Sequence, residues 1–108
     1  MSNEKLQYNP RIFDVNTIDD AKKIILTPEA GMATNERWEK ETPFLKKDIS
    51  DFFKNLTKES VIVDFGCGIG RVSKEIIDAI GCKVIGIDIS QSMRQLAIKY
   101  VNNLTFAR

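Results

Sequence analysis

The residues best suited to chemistry lie in one run, Asp64-Phe65-Gly66-Cys67-Gly68-Ile69-Gly70-Arg71. Gly66 lets the chain turn sharply, Gly68 has no Cβ to keep a ligand off the backbone, and Gly70 permits tight packing where a helix begins. A loop of this kind between a strand and a helix presents backbone N–H groups beside a positive helix end, which suits a phosphate or a carboxylate. Asp64, two residues before the first glycine, can accept a hydrogen bond from a ligand amino group or brace the loop from beneath. A ligand with an α-amino acid end would use both features, its carboxylate meeting N–H groups and its ammonium meeting acceptors. Asp88 follows Asp64 by 24 residues and closes a second apolar run. At the carboxyl end of a parallel strand such a carboxylate can take both hydroxyls of a ribose. Ile89 and Met93 lie just beyond, placed to sandwich a flat base.

The glycines fall at relative positions one, three and five. The dinucleotide fingerprint needs one, three and six, and position six is Arg71. Each residue also has a plainer role. Turns need glycine anyway, Asp88 can cap a helix, and Asp64 can simply steady the turn. Cys67 reads as a small loop residue, since no histidine or lysine base stands beside it. Cys82 reads as buried filler at a strand start, and Arg71 as a solvated residue of a first helical turn. The combination of spacing, order and context is more specific than any member.

The composition excludes several chemistries. The sequence has no histidine, which removes Ser-His-Asp and Cys-His nucleophile systems and imidazole-ligated metals. Two cysteines build no disulfide framework, and their spacing fits no zinc pattern. A formal charge of +1 over 108 residues gives no general attraction to nucleic acid or anionic membrane. No apolar run approaches the roughly 20 residues of a membrane span. The start, Met1-Ser2-Asn3-Glu4-Lys5, lacks a signal-like stretch, so a cytoplasmic location is expected.

The elements that must position these residues follow from periodicity. Up to residue 16 there is none, and Asn9-Pro10 marks a turn. A helix should start at the N-cap Thr17, with Asp19 and Asp20 in its first turn, and stop before Pro28. Residues 28–35 read as a loop. A second helix should start at Thr42, with Pro43 in its first position, and bury Leu45, Ile49, Phe52, Phe53 and Leu56. Val61-Ile62-Val63 continues into Asp64-Phe65 as a strand, of the apolar kind buried on both faces of a parallel sheet. A helix from about Gly70 to Ile80 should bury Val72, Ile76, Ala79 and Ile80, with Gly81 as its C-terminal cap. Lys83–Asp88 is a second strand. Ser90 then caps a helix with Met93, Leu96, Ala97, Tyr100 and Val101 inside, and Leu104–Ala107 starts a third strand. This alternation predicts parallel strands joined by right-handed helical crossovers.

Val61-Ile62-Val63-Asp64-Phe65-Gly66-Cys67-Gly68-Ile69-Gly70 resembles the first motif of class I S-adenosylmethionine-dependent methyltransferases. Val84-Ile85-Gly86-Ile87-Asp88-Ile89-Ser90 resembles their second motif, and Gln91-Ser92-Met93 continues in the same style. The resemblance implies an α/β fold: a partial Rossmann-like parallel sheet of the first two to three strands with crossover helices, preceded by an N-terminal helical cap. Residues 1–56 would form the cap and residues 57–108 the first half of the cofactor-binding domain. Asp64, Gly66, Cys67 and Gly68 would line the methionine end of S-adenosylmethionine, with Gly70 in the same loop. Asp88 would hold the ribose hydroxyls, and Ile89 and Met93 would contact adenine. The acceptor expected is a small molecule. The family's sheet has seven strands, and a residue after the third reads the adenine amino group. The length therefore reads as the front of a longer domain, without the acceptor-binding part. Trp38 would pack a helix onto the core or lid the cofactor sulfonium by cation–π attraction. Two other readings are a non-catalytic interaction module and a fragment of a nicotinamide- or flavin-dependent oxidoreductase.

Overall fold

In the computed structural model, residues 10–101 and 105–107 are described. The β-branched runs form the sheet. Val61–Phe65 (β1) pairs in parallel with Lys83–Ile87 (β2), Val61 opposite Lys83 and Phe65 opposite Ile87. Thr105–Ala107 (β3) pairs in parallel with the other edge of β2, from Ile85 to Ile87. The spatial order is β1-β2-β3. Space and sequence run in the same order, so right-handed crossovers put both connecting helices on one face. These helices are Arg71–Ile80 (α3) and Gln91–Val101 (α4). On the covered face Ile62 and Val84 pack with Ile49, Ile76 and Cys82.

The opposite face corrects the expectation of a strand buried on both sides. Val61, Val63 and Phe65 are 59%, 56% and 83% exposed. A strand alternates its side chains, and among the described residues no element covers that second face.

Ahead of the sheet come a 3₁₀ turn at Pro10–Phe13 and the helices Ile18–Ile25 (α1) and Thr34–Phe52 (α2). Thr17 caps α1 as expected, its side chain accepting from the Asp20 N–H at 3.1 Å. The turn at Pro10–Phe13 replaces irregular chain in the expectation. Helix α2 begins eight residues before Thr42, the start expected for it. Pro43 therefore sits inside a helix, where its ring takes away one ladder donor, and the Thr42 hydroxyl donates to the Trp38 carbonyl instead of capping. Ion pairs at i,i+4, Glu36 with Lys40 and Arg37 with Glu41, support the added turns. Of the expected inner face only Ile49 is fully buried, and Phe52 is exposed.

Gly81 ends α3 in the left-handed conformation, as expected. The helix is rotated from the expected face: Ser73 and Ile76 are buried while Val72 is exposed. Ser90 caps α4 by accepting from the Met93 N–H at 3.2 Å, and Met93, Leu96, Ala97 and Val101 are buried as expected. One core joins both parts of the chain. Val15, Ala21, Leu26 and Trp38 pack with Ile69, Met93, Leu96 and Ala97. No helix of the described residues is long and apolar enough to cross a membrane.

Candidate functional site

The glycine loop leaves β1 through three left-handed residues, Gly66, Gly68 and Gly70, with φ of 72°, 57° and 86°. Its N–H groups are largely spoken for. Gly66 and Cys67 donate to the Ile87 carbonyl at 2.7 and 3.0 Å, and Gly70 donates to the Cys67 carbonyl at 2.9 Å. Gly68 donates to Asp88 Oδ2 at 2.8 Å. These bonds stitch the end of β1 to the end of β2. They correct the expectation of a loop whose amides wait for an anion. Helix α3, by contrast, has no side-chain cap at its start, so its first-turn N–H groups keep the positive helix end open to a ligand.

The two glycines differ in what surrounds them. A Cβ on Gly66 would meet nothing within 4 Å, whereas one on Gly68 would lie 3.3 Å from Ile25 Cδ1. Close approach to the backbone is thus open at Gly66, and α1 fills the space beside Gly68. Asp64 accepts from the Ser73 hydroxyl at 2.6 Å, which ties the end of β1 to the first turn of α3. Asp88 Oδ1 accepts from the Ser90 N–H at 2.8 Å. With one bond on each oxygen, its carboxylate keeps about two of its four lone-pair sites for further donors. The Arg94 guanidinium donates to the Asp88 carbonyl and holds the strand end to α4.

Asp64, Gly66, Cys67, Gly68, Gly70 and Asp88 therefore gather at the carboxyl ends of β1 and β2. Ile89 stands next to them, 75% exposed. It lines a cleft of about 260 Å³ with Arg11, Asp14, Ser90 and Gln91. Met93 is not brought to this surface. It is 2% exposed, inside the core with Trp38 and Leu96, because the inner face of α4 is also the face that holds the helix to the protein.

Burial, then the charges of Asp64 and Asp88, push the Cys67 thiol up to about 12. It is a neutral thiol at pH 7 and no nucleophile. Arg71 is not the solvated residue expected. Its guanidinium lies 4.6 Å from the Trp38 ring centroid, with Nε and Nη2 buried and without hydrogen-bond partners. Lys22 Nζ is 5.0 Å from the same ring, and Trp38 Nε1 donates to the Tyr100 hydroxyl at 3.1 Å. Trp38 packs α2 onto the core. Among the described residues no three His, Cys, Asp or Glu side chains gather into a metal site.

Several contributors were not legible beforehand. Ser73 braces Asp64, and a lone hydroxyl on the isoleucine face of α3 was its only signal. Ile25 covers Gly68. Ser90 and Ser92 both donate to the Phe13 carbonyl, at 2.8 and 3.0 Å, which straps the 3₁₀ turn to the start of α4.

Residues 62–108 match the sequence model of a methyltransferase domain. No curated protein matches the chain. Among solved structures, a SAM-dependent methyltransferase from Anabaena variabilis is 26% identical with a TM-score of 0.51, over 62% of this chain and 28% of that one. The magnesium protoporphyrin IX methyltransferase of Synechocystis, solved with bound SAH, is 25% identical with a TM-score of 0.51, over 68% of this chain and 35% of that one. YjhP of E. coli shares the fold over 91% of this chain and 36% of its own, at 21% identity and a TM-score of 0.54. The chain spans about a third of the length of these structures. Residues 62–108 are thus similar in sequence to a methyltransferase domain, and the fold over a larger share of the chain is similar to that of S-adenosylmethionine-dependent methyltransferases.

Proposed function

We propose that this chain binds S-adenosylmethionine at the carboxyl ends of β1 and β2 and serves methyl transfer to a small-molecule acceptor. The observation that carries the reading is Asp88, held by the Gly68 and Ser90 N–H groups at the end of β2 and stitched to a glycine loop open at Gly66. Its unused lone pairs suit the two ribose hydroxyls. Gly66 leaves room for the methionine part against the backbone, and the uncapped start of α3 suits its carboxylate. When bound, the cofactor supplies an electrophilic methyl group on a sulfonium sulfur.

This chain's residues contribute position. Asp64, fixed by Ser73, and Asp88, fixed by two amides, are preorganised, and in-line transfer draws much of its rate from such positioning. Cys67 keeps its proton, so the loop holds no thiolate to intercept the methyl group. The Synechocystis relative, whose name specifies a porphyrin substrate, supports a small-molecule acceptor. In this reading residues 1–56 are the helical cap and residues 57–108 the first half of the cofactor-binding domain. The protein works in the cytoplasm, in keeping with two unpaired cysteines. The test is calorimetric titration of S-adenosylhomocysteine into the chain. Saturable one-to-one binding is expected. Saturable binding of a nicotinamide dinucleotide, with no heat from S-adenosylhomocysteine, would refute the reading.

A further inference from the structure

We infer that the methyl acceptor carries a carboxylate or phosphate group, and that Arg71, with Lys22 beside it, receives that group where the N-terminal helices meet the glycine loop. The inference rests on the proposed function above and adds a substrate class to it.

Arg71 is the first residue of α3, directly after the left-handed Gly70. Its guanidinium carbon lies 4.6 Å from the Trp38 ring centroid. Nε and Nη2 are buried, and neither has a hydrogen-bond partner among the described residues. These two nitrogens form one side of the guanidinium, where parallel N–H groups fit the two oxygens of a carboxylate or phosphate. Unsatisfied buried donors are costly, and a stack on an aromatic face offsets only part of that cost. For packing alone an apolar chain would serve as well, so the pair of donors points to an oxyanion.

A second cation stands at the same ring. Lys22 Nζ is 5.0 Å from the Trp38 centroid and 5.9 Å from that of Tyr100. Lys22 and Ile25 are three residues apart on α1 and share a face, and Ile25 is the neighbour of Gly68. Arg71 and Lys22 therefore reach Trp38 from two elements, α3 and α1, both beside the glycine loop. Two like charges around one neutral ring draw in an anion. In the proposed function the cofactor's ribose goes to Asp88 and its carboxylate to the backbone at the start of α3, which leaves this anion to the other reactant. An acid group held here fixes one end of the acceptor beside the loop, and positioning of this kind is what in-line transfer requires. A buried water would satisfy the same two donors, and the stack alone would hold α3 to α2. Both of those roles are indifferent to anions.

The test follows the Arg71 Nε–H by ¹⁵N-resolved NMR, together with the fluorescence of Trp38, the one tryptophan. The chain is saturated with S-adenosylhomocysteine and titrated with inorganic phosphate or acetate, each replacing chloride at constant ionic strength. A saturable shift of the Nε–H is expected, with a matching change in fluorescence as the guanidinium turns from the ring to the anion. Arg71→Met should abolish the fluorescence response. Arg71→Lys, which keeps the charge without the paired donors, should weaken phosphate binding by about tenfold. An unmoved Nε–H in the wild type, or an equal fluorescence response in Arg71→Met, would overturn the assignment. So would an Nε–H moved by S-adenosylhomocysteine alone and not by 5′-methylthioadenosine, which lacks the amino acid end, since the anion would then be the cofactor's own. Amide shifts at Gly66 and Asp88 on addition of S-adenosylhomocysteine report the cofactor reading separately. Their absence would overturn that reading and the acceptor assignment with it.

Discussion

Gly68→Ala separates backbone strain from packing at the centre of the site. Gly68 has φ of 57°, a conformation that costs an L-residue with a Cβ roughly 1–2 kcal/mol. The new methyl group would lie 3.3 Å from Ile25 Cδ1, short of the roughly 3.5–4.0 Å of an ordinary carbon contact. Ile25 Cδ1 is the tip of a flexible side chain, so a shift of a few tenths of an ångström relieves it, and the steric share should stay below about 1 kcal/mol. A total loss of about 1–3 kcal/mol follows. It is measurable by urea unfolding through the fluorescence of Trp38, the one tryptophan. In an Ile25→Ala background the steric share should vanish and the strain remain, so the double-mutant cycle should return a coupling of about 0.5–1 kcal/mol. A neutral Gly68→Ala would refute the left-handed loop, and zero coupling would refute the seat of α1 upon it. Gly66→Ala gives the contrast. Its Cβ enters open space, so it should reduce S-adenosylhomocysteine affinity more than Gly68→Ala does.

Three further outcomes are expected. The Cys67 thiol titrates at about 12 in the folded chain and near about 8.5 when unfolded. Between these values the unfolded chain binds fewer protons, so stability falls as pH rises, by up to about 1.4 kcal/mol per unit. Cys67→Ser should flatten that decline in unfolding curves from pH 8.5 upward, and parallel declines would contradict it. Ser73→Ala removes the only side-chain donor to Asp64 among the described residues; a loss of about 1.5–3 kcal/mol is expected by denaturant titration. Arg71→Met replaces two buried, unpartnered guanidinium nitrogens with an apolar chain of similar length. Because an unsatisfied buried donor costs about 1–3 kcal/mol and a cation–π stack returns about 0.5–2, thermal melting should show equal or greater stability.

Where a signal was local, the sequence disclosed it. Thr17, Gly81 and Ser90 mark helix ends through their own side chains or glycine geometry, and all three stand where the pattern put them. Thr42-Pro43 misled because the pair is chemically a helix start. Burial of Trp38 in the core, with the ion pairs of residues 36–41, carries the helix through it. Other errors were tertiary. Val61-Ile62-Val63 has the composition of a doubly buried strand, but burial of a second face requires a neighbour that β-branched residues cannot specify. Met93 stands five residues from Asp88, near enough in sequence to suggest one site, yet helical rotation carries it into the core. The glycine spacing announced a sharp turn off the strand. That most of its amides would bond to Ile87 and Asp88 depended on β2 lying alongside.

The central claim is that the ends of β1 and β2 form one cofactor site. The most direct measurement is an ¹⁵N-resolved NMR titration of the chain with S-adenosylhomocysteine. The largest amide shifts should fall on Gly66, Gly68, the first turn of α3, Asp88 and Ile89, saturating together with a single dissociation constant. Unshifted amides at Gly66 and Asp88 under saturating ligand, or shifts confined to α2 and the outer face of β1, would contradict it.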